Sequence, residues 1–118
     1  MEIKELQADK WQKILTTSSA AKDGEGALPA VVFFGASWCS NCHVMRPIFE
    51  VLAEKYGARA DFYAIDAGKE AALAEKYDIL SLPVILIFKK GVEVGRLEGI
   101  MSAKKLEEGM SAVLDSSI

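Results

Sequence analysis

Ala30-Val31-Val32-Phe33-Phe34-Gly35-Ala36-Ser37-Trp38-Cys39-Ser40-Asn41-Cys42-His43 runs from an uninterrupted apolar stretch straight into a pair of cysteines. A strand exposed on one face alternates polar and apolar residues, whereas 30–35 is β-branched and aromatic throughout. It therefore reads as a central strand covered on both sides. Beyond it, Val44, Ile48, Val51, Leu52 and Lys55-Tyr56 recur at helical spacing, which predicts a helix from about Cys39 to Tyr56 with Gly57 as its stop. Pro47 lies inside that stretch. It removes one backbone donor and should kink the helix rather than end it, because the apolar period resumes afterwards.

Working outward, Ala60 to Ile65 and Val84 to Phe88 are two further apolar strands, with a short helix from Glu70 to Tyr77 between them. Lys89-Lys90-Gly91 is a glycine-bearing hairpin turn, so Val92 to Leu97 should run antiparallel to the strand before it. A last helix, about Ala103 to Leu114, carries Leu106, Met110, Val113 and Leu114 at spacings of three and four. On the N-terminal side, Glu2 to Leu6 reads as an edge strand. Asp9 reads as the N-cap of a helix carrying Trp11, Ile14 and Leu15, and the small polar stretch Ala20 to Ala27 as a surface loop. Strands alternating with helices imply right-handed crossovers. The class is α/β, with a mainly parallel sheet between helices and an antiparallel hairpin at its edge.

The chain has 118 residues, a net charge of −3 and 51% hydrophobic residues. A chain of this length buries about two-thirds of its unfolded surface around a single core, so residues 1–118 should form one domain. Neither 30–36 nor 83–88 approaches the ~20 apolar residues that cross a bilayer, and the first fifteen residues mix charge with apolar groups. The sequence pI is near 5.2. No basic run exceeds two lysines, so neither a membrane nor a nucleic acid is an expected partner. With no leader in view the expected compartment is the cytoplasm; an exported chain restarted at a new Met1 would read the same.

Two cysteines placed at random in this chain would fall three apart roughly once in sixty, so the spacing carries information. Its position adds more. The pair follows a buried strand and opens a helix, where unpaired N–H groups and the positive end of the helix dipole favour a thiolate, the species that attacks disulfides. Cys39 is the candidate nucleophile. Cys42, one turn later on the same face, is placed to attack a mixed disulfide on Cys39 and release the partner. The competing reading is two inert, buried thiols.

In Ala36-Ser37-Trp38-Cys39-Ser40-Asn41-Cys42, with Pro47 beyond it, the chain resembles the thioredoxin family, and the likeness covers nearly the whole sequence. Leu82-Pro83 ahead of the third strand resembles that family's cis-proline loop. Lys89-Lys90-Gly91 and Gly99 fall at its hairpin turn and at a small residue near its site. The resemblance implies the thioredoxin fold, three α/β/α layers around a central mixed sheet with a C-terminal antiparallel hairpin. It also implies a reversible Cys39–Cys42 disulfide and a client groove formed by Trp38, Leu82, Pro83, Gly99 and Ile100. A cis bond at Pro83 would turn a backbone edge toward the cysteines, able to pair with an extended substrate. Against this, Trp38 alone also reads as a core residue, and Pro83 as an ordinary trans proline.

Two departures from the family pattern bear on rate and potential. Typical members carry a buried Asp and a Lys where Phe33 and Phe62 stand here, so the proton relay is missing. Aromatic neighbours raise a thiol's pKa by desolvation, which predicts slow resolution by Cys42. The bland alternative is that removing a buried charge simply stabilises the core. Ser40-Asn41 replaces the Gly-Pro of reductive members, and hydrogen-bonding side chains near the Cys39 sulfur shift the potential with a sign that sequence does not fix. His43, four residues past Cys39, is placed to tune the thiolate, although such a residue is more often simply solvated.

Three other functions share some of these residues. Cys39-Ser40-Asn41-Cys42-His43 spells a c-type haem attachment motif, with Met45, Met101 or Met110 as sixth ligand, but it joins a buried strand to a helix rather than lying in a helical pocket. Two cysteines and one histidine give only three of the four ligands of a structural zinc site, so zinc would need a second molecule. A thioredoxin-like binding module would hold partners in the same groove without turnover. The expectation is a monomeric protein-disulfide oxidoreductase needing no cofactor or metal. Its partners would be disulfide-bearing client proteins and a reductase or other redox partner that recycles the pair.

Overall fold

The computed structural model describes residues 3–7, 10–11 and 28–116. Its elements are β1 (Lys4–Glu5), β2 (Ala30–Gly35), α1 (Ser40–Lys55), β3 (Asp61–Asp66), α2 (Ala71–Lys76), β4 (Val84–Lys89), β5 (Val92–Glu98) and α3 (Ala103–Leu114). The helix expected from Asp9 and the loop 20–27 lie outside the described residues, apart from the first positions around Trp11.

The five strands form one sheet in the order β1-β3-β2-β4-β5. β1 and β2 both run parallel to β3, while β4 is antiparallel to β2, and β5 to β4. The sheet is mixed, as the resemblance implies; the mainly parallel sheet read from the alternation of strands and helices alone is corrected. The reason is length. A six-residue strand spans about 20 Å, but a six-residue helix such as α2 advances only about 9 Å, so it does not by itself make the full-length crossover that a parallel β4 would need. The chain instead re-enters at the end where β3 finished, and β4 runs the other way.

Alternate residues of each strand feed two separate cores, because successive side chains point to opposite faces. On one face Val31, Phe33, Phe62, Ala64, Ile85 and Ile87 pack under α1 and α3. On the other, Val32, Phe34, Tyr63, Ile65 and Leu86 pack with Trp11 and with Leu73 of α2. Helix α1 presents Cys42, Met45, Phe49 and Leu52 to the sheet. Val44 and Val51, expected on the buried face, are exposed instead. The buried row is offset from them by one residue and contains a cysteine, a methionine and an aromatic, which fill volume as well as the valines would. The helix runs on past Pro47 and closes at Tyr56, whose N–H bonds Leu52 O, just before Gly57. Helix α3 is capped by Ser102, which accepts from Lys105 N–H. It is tied to α1 by Glu107, whose carboxyl the Lys55 ammonium and the Tyr56 hydroxyl hold below the usual range.

The hairpin between β4 and β5 turns on two residues, Lys90 and Gly91, both with positive φ (53° and 81°). That is the geometry whose twist matches flanking strands. At the sheet's outer edge Arg96 of β5 pairs with Glu93 and Glu98 and donates to Tyr77 O.

Burial of Tyr63, aided by the Asp61 carboxylate, pushes its hydroxyl up to about 12. An unfolded tyrosine ionises near 10, so between those values the unfolded chain releases the proton first and stability falls as pH rises. We expect a loss of about 2 kcal/mol between pH 10 and 12, read as the difference between thermal melts of the parent and Tyr63→Phe. Parallel pH curves for the two would contradict it.

Candidate active site

Strand β2 delivers the chain to the site. Its last residue, Gly35, is followed by buried Ala36 and a turn at Ser37-Trp38, and Cys39 then takes the N-cap position of α1 with extended backbone (φ −96°, ψ 108°). Cys39 Sγ accepts a hydrogen bond from Cys42 N–H at 3.1 Å. This is one of the donors that a helix start leaves without a backbone acceptor. A cap position normally filled by a hydroxyl or carboxylate oxygen is thus filled by sulfur. The two sulfurs are joined in a disulfide, with Cα atoms 5.3 Å apart, well within the span such a bond bridges.

Around the pair the chain brings together segments far apart in sequence. The Leu82–Pro83 peptide is cis, as the resemblance implied. Pro83 sits just before β4, whose first residue pairs with Phe34 near the end of β2 and with Glu98 at the end of β5. Gly99 N–H then donates to Pro83 O at 2.9 Å, closing the two loops onto each other. Gly99 has φ +84° with open space where a Cβ would be, so glycine is required there by conformation rather than by crowding. Trp38 is 74% exposed, so it is not a core residue. Its indole nitrogen lies against Gly68 in the turn that Asp66 holds by accepting from Gly68 and Lys69 N–H. Ile100 is exposed, and Leu82 is half-buried against both cores. Leu80, 94% exposed two residues before Leu82, was not singled out from sequence, where it stands among Ile79, Leu82 and Pro83 with nothing to mark it as exposed.

Phe33 and Phe62 do occupy the core below the pair. The Phe49 ring lies between them, 5.1 Å from Phe33 and 5.6 Å from Phe62 by ring centroid. His43 is exposed, with Nε2 2.8 Å from Ser37 O. Ser40 and Asn41 are exposed on the first turn, and the hydrogen bond that reaches Cys39 Sγ comes from backbone rather than from either side chain. A haem reading needs both sulfurs for thioethers and a methionine within reach, but the sulfurs bond each other, Met45 and Met110 are packed in the core, and Met101 is half-buried against it. Among the described residues no three His, Cys, Asp or Glu side chains gather as a metal would require. No helix among them is long and apolar enough to cross a membrane.

The sequence profile of the family described as Thioredoxin matches residues 2–112. The chain belongs to the thioredoxin family. It is 36% identical over 87 residues to thioredoxin Y, chloroplastic, of Oryza sativa, a match covering 74% of this chain and 52%, about half, of the rice protein. It is 38% identical over 78 residues to a thioredoxin-like protein of Synechocystis, covering 66% of this chain and 74% of that one. Thioredoxin of Staphylococcus aureus is 33% identical over 78 residues, covering 66% and 75%. In three dimensions the chain is similar to thioredoxin f from spinach chloroplast (short form), with a TM-score of 0.80, 27% identity and coverage of 95% and 93%. This thioredoxin-family domain is a thiol–disulfide oxidoreductase, with its paired cysteines at the strand-to-helix junction. Membership implies protein disulfides as substrates and a reductase as partner in general terms.

Proposed function

We propose that the domain reduces or exchanges disulfides of protein clients, with Cys39 as the attacking thiolate and Cys42 as the resolving thiol. The observation that carries this reading is the Cys42 N–H donating to Cys39 Sγ at the mouth of a helix. A donor and a helix dipole aimed at one sulfur favour its charged form, and so its nucleophilicity at neutral pH. In the reduced protein the Cys39 thiolate attacks one client sulfur and expels the other. Cys42 then attacks Cys39 Sγ, frees the second client sulfur and leaves the closed disulfide seen in the structure. A dithiol reductase returns the two electrons. An extended client would lie against Trp38 and Ile100, with its backbone along the turn that ends at Leu82-Pro83 and Gly99 leaving room beside it. The reading puts the domain in a compartment kept reducing, the cytoplasm being the expectation from sequence, because only there is the pair returned to the dithiol.

Cys42→Ser tests the division of labour. We expect it to accumulate covalent adducts through Cys39 that are released by dithiothreitol, seen as mass-shifted bands on non-reducing gels. Stable but non-covalent complexes, with no adducts, would favour the binding-module reading instead.

A further inference from the structure

Cys42 is 4% exposed and lies against the aromatic layer, surroundings that oppose ionisation of a thiol. Among the described residues the one buried acidic side chain, Asp61, stands at the start of β3, at the opposite end of the sheet from the cysteines. Yet Cys42 borders a cavity of about 190 Å³ whose floor is Phe33, Gly35 and Ala64 and whose mouth is Glu5, His43 and Arg46. Gly35 lets the Phe33 ring and Cys42 approach the backbone closely beside this space. A Cβ built there would stand 2.7 Å from Phe33 Cε1 and 3.4 Å from Cys42 Sγ.

Arg46 is one helical turn beyond Cys42, and residues so spaced have Cβ atoms about 5–6 Å apart. Its guanidinium lies 5.9 Å from the Phe33 ring centroid. Its Nη2 donates to Glu5 Oε2 at 2.9 Å, and its Nε is buried without a hydrogen-bond partner, 3.2 Å from but not aligned with Glu50 Oε2. The charged and titratable groups around this cavity are Glu5 of β1, Asp66 at the end of β3, and His43, Arg46 and Glu50 of α1. The Glu5 and Glu50 carboxylates are 69% and 55% exposed and screened by solvent, while Arg46 is two-thirds covered. The Asp66 carboxylate is turned to the Gly68 and Lys69 N–H groups. Arg46 is thus the permanent positive charge at this cavity, on the same helix face as the sulfur and one turn away from it.

We propose that Arg46 is a positioning residue for the resolving step: its charge, held by Glu5 over Phe33, favours the Cys42 thiolate, and the cavity carries the departing proton to solvent. The proposal rests on the reading of Cys42 as resolving thiol. In the step, the Cys42 S–H proton passes to water in the cavity and the thiolate attacks Cys39 Sγ. The Cys39–Cys42 bond forms as the Cys39–client bond breaks. The client sulfur leaves with the electron pair and takes a proton from solvent. The dithiol is oxidised by two electrons and the client disulfide reduced by two.

The test follows Cys42 alkylation by iodoacetamide against pH in a Cys39→Ser background, counted by mass spectrometry. Arg46→Leu should raise the midpoint by about one pH unit, the lower end of what a lost opposite charge at this range produces. Arg46→Lys should restore it to within a third of a unit, and Arg46→Gln, which keeps a polar stem, should behave as Leu does and carries the test if the Leu variant does not fold. With both cysteines present, Arg46→Leu should slow release of a client thiol from a preformed Cys39 mixed disulfide about threefold at pH 7, a tenfold smaller thiolate fraction being partly offset by the greater nucleophilicity of a more basic thiolate. An unmoved midpoint in Leu and Gln overturns the proposal, as does a shift that Lys fails to rescue, since that would be an effect of shape. If Cys42→Ser captures no client, the resolving role falls by itself, because the Cys42 titration reads Arg46 without it.

Discussion

Replacing Cys39 with serine should reduce disulfide exchange by at least about a thousandfold, measured as the dithiothreitol-driven reduction of insulin. A serine hydroxyl is almost wholly protonated at neutral pH, has no general base beside it here and forms no bond to sulfur that could be resolved. Covalent catalysis is then lost outright rather than weakened. The fold should survive. Cys39 is the N-cap of α1, and serine is among the best residues for that position, able to accept from Cys42 N–H as the sulfur does. Far-UV circular dichroism should match that of the parent reduced with dithiothreitol, which separates lost chemistry from lost structure. Activity within tenfold of the parent would mean that the attacking thiol is Cys42 and that the order of the two steps is reversed.

The largest effect on stability is expected far from the cysteines, at Trp11. This residue is 2% exposed and meets Phe34, Tyr77 and Phe88 edge-on, with centroids 6.1, 5.5 and 5.3 Å away. Its indole N–H donates to the Tyr77 hydroxyl at 2.9 Å. Trp11→Ala removes the largest side chain of the second core and strips Tyr77 of a partner. Truncations of this kind cost about 3–5 kcal/mol, and a domain of this size has only about 5–15 kcal/mol in total. We expect the melting temperature to drop by roughly 15 °C. Trp11→Phe should recover about half, since a ring still fills the space while the hydroxyl goes without its donor. A drop of less than about 5 °C for Trp11→Ala would mean that neighbouring rings collapse into the space.

The contact between Trp11 and Tyr77 also marks where sequence reading ran out. Each tryptophan, phenylalanine or leucine in a periodic run announces that it is buried, but not what it meets 66 residues away. Strand β2, helix α3 and the two-residue hairpin were legible because their signals are local: a run without alternation, a spacing of three and four, a lysine-glycine turn. The cysteine pair was legible for the same reason. The direction of β4 is not in any local pattern, and only the family resemblance implies the mixed sheet. The buried row of α1 was misread because valines on the next row looked equally apolar. Arg46 carries no local signal. Its partner Glu5 is 41 residues earlier, and the cavity beside Cys42 exists only where Gly35, Phe33 and that helix turn converge.

The sheet ends on one side in β1, two residues long, and on the other in β5 with its Arg96–Glu93–Glu98 cluster. An outer strand offers a row of unpaired amide groups on which another chain can grow, and natural sheets guard against this with short or charged margins. Here one margin is too brief to template a partner, and the other would bury charge if a second sheet docked alongside. If extended client segments lie at the cysteines as proposed, the sheet's two margins discourage the same segments from stacking fibril-like along its flanks.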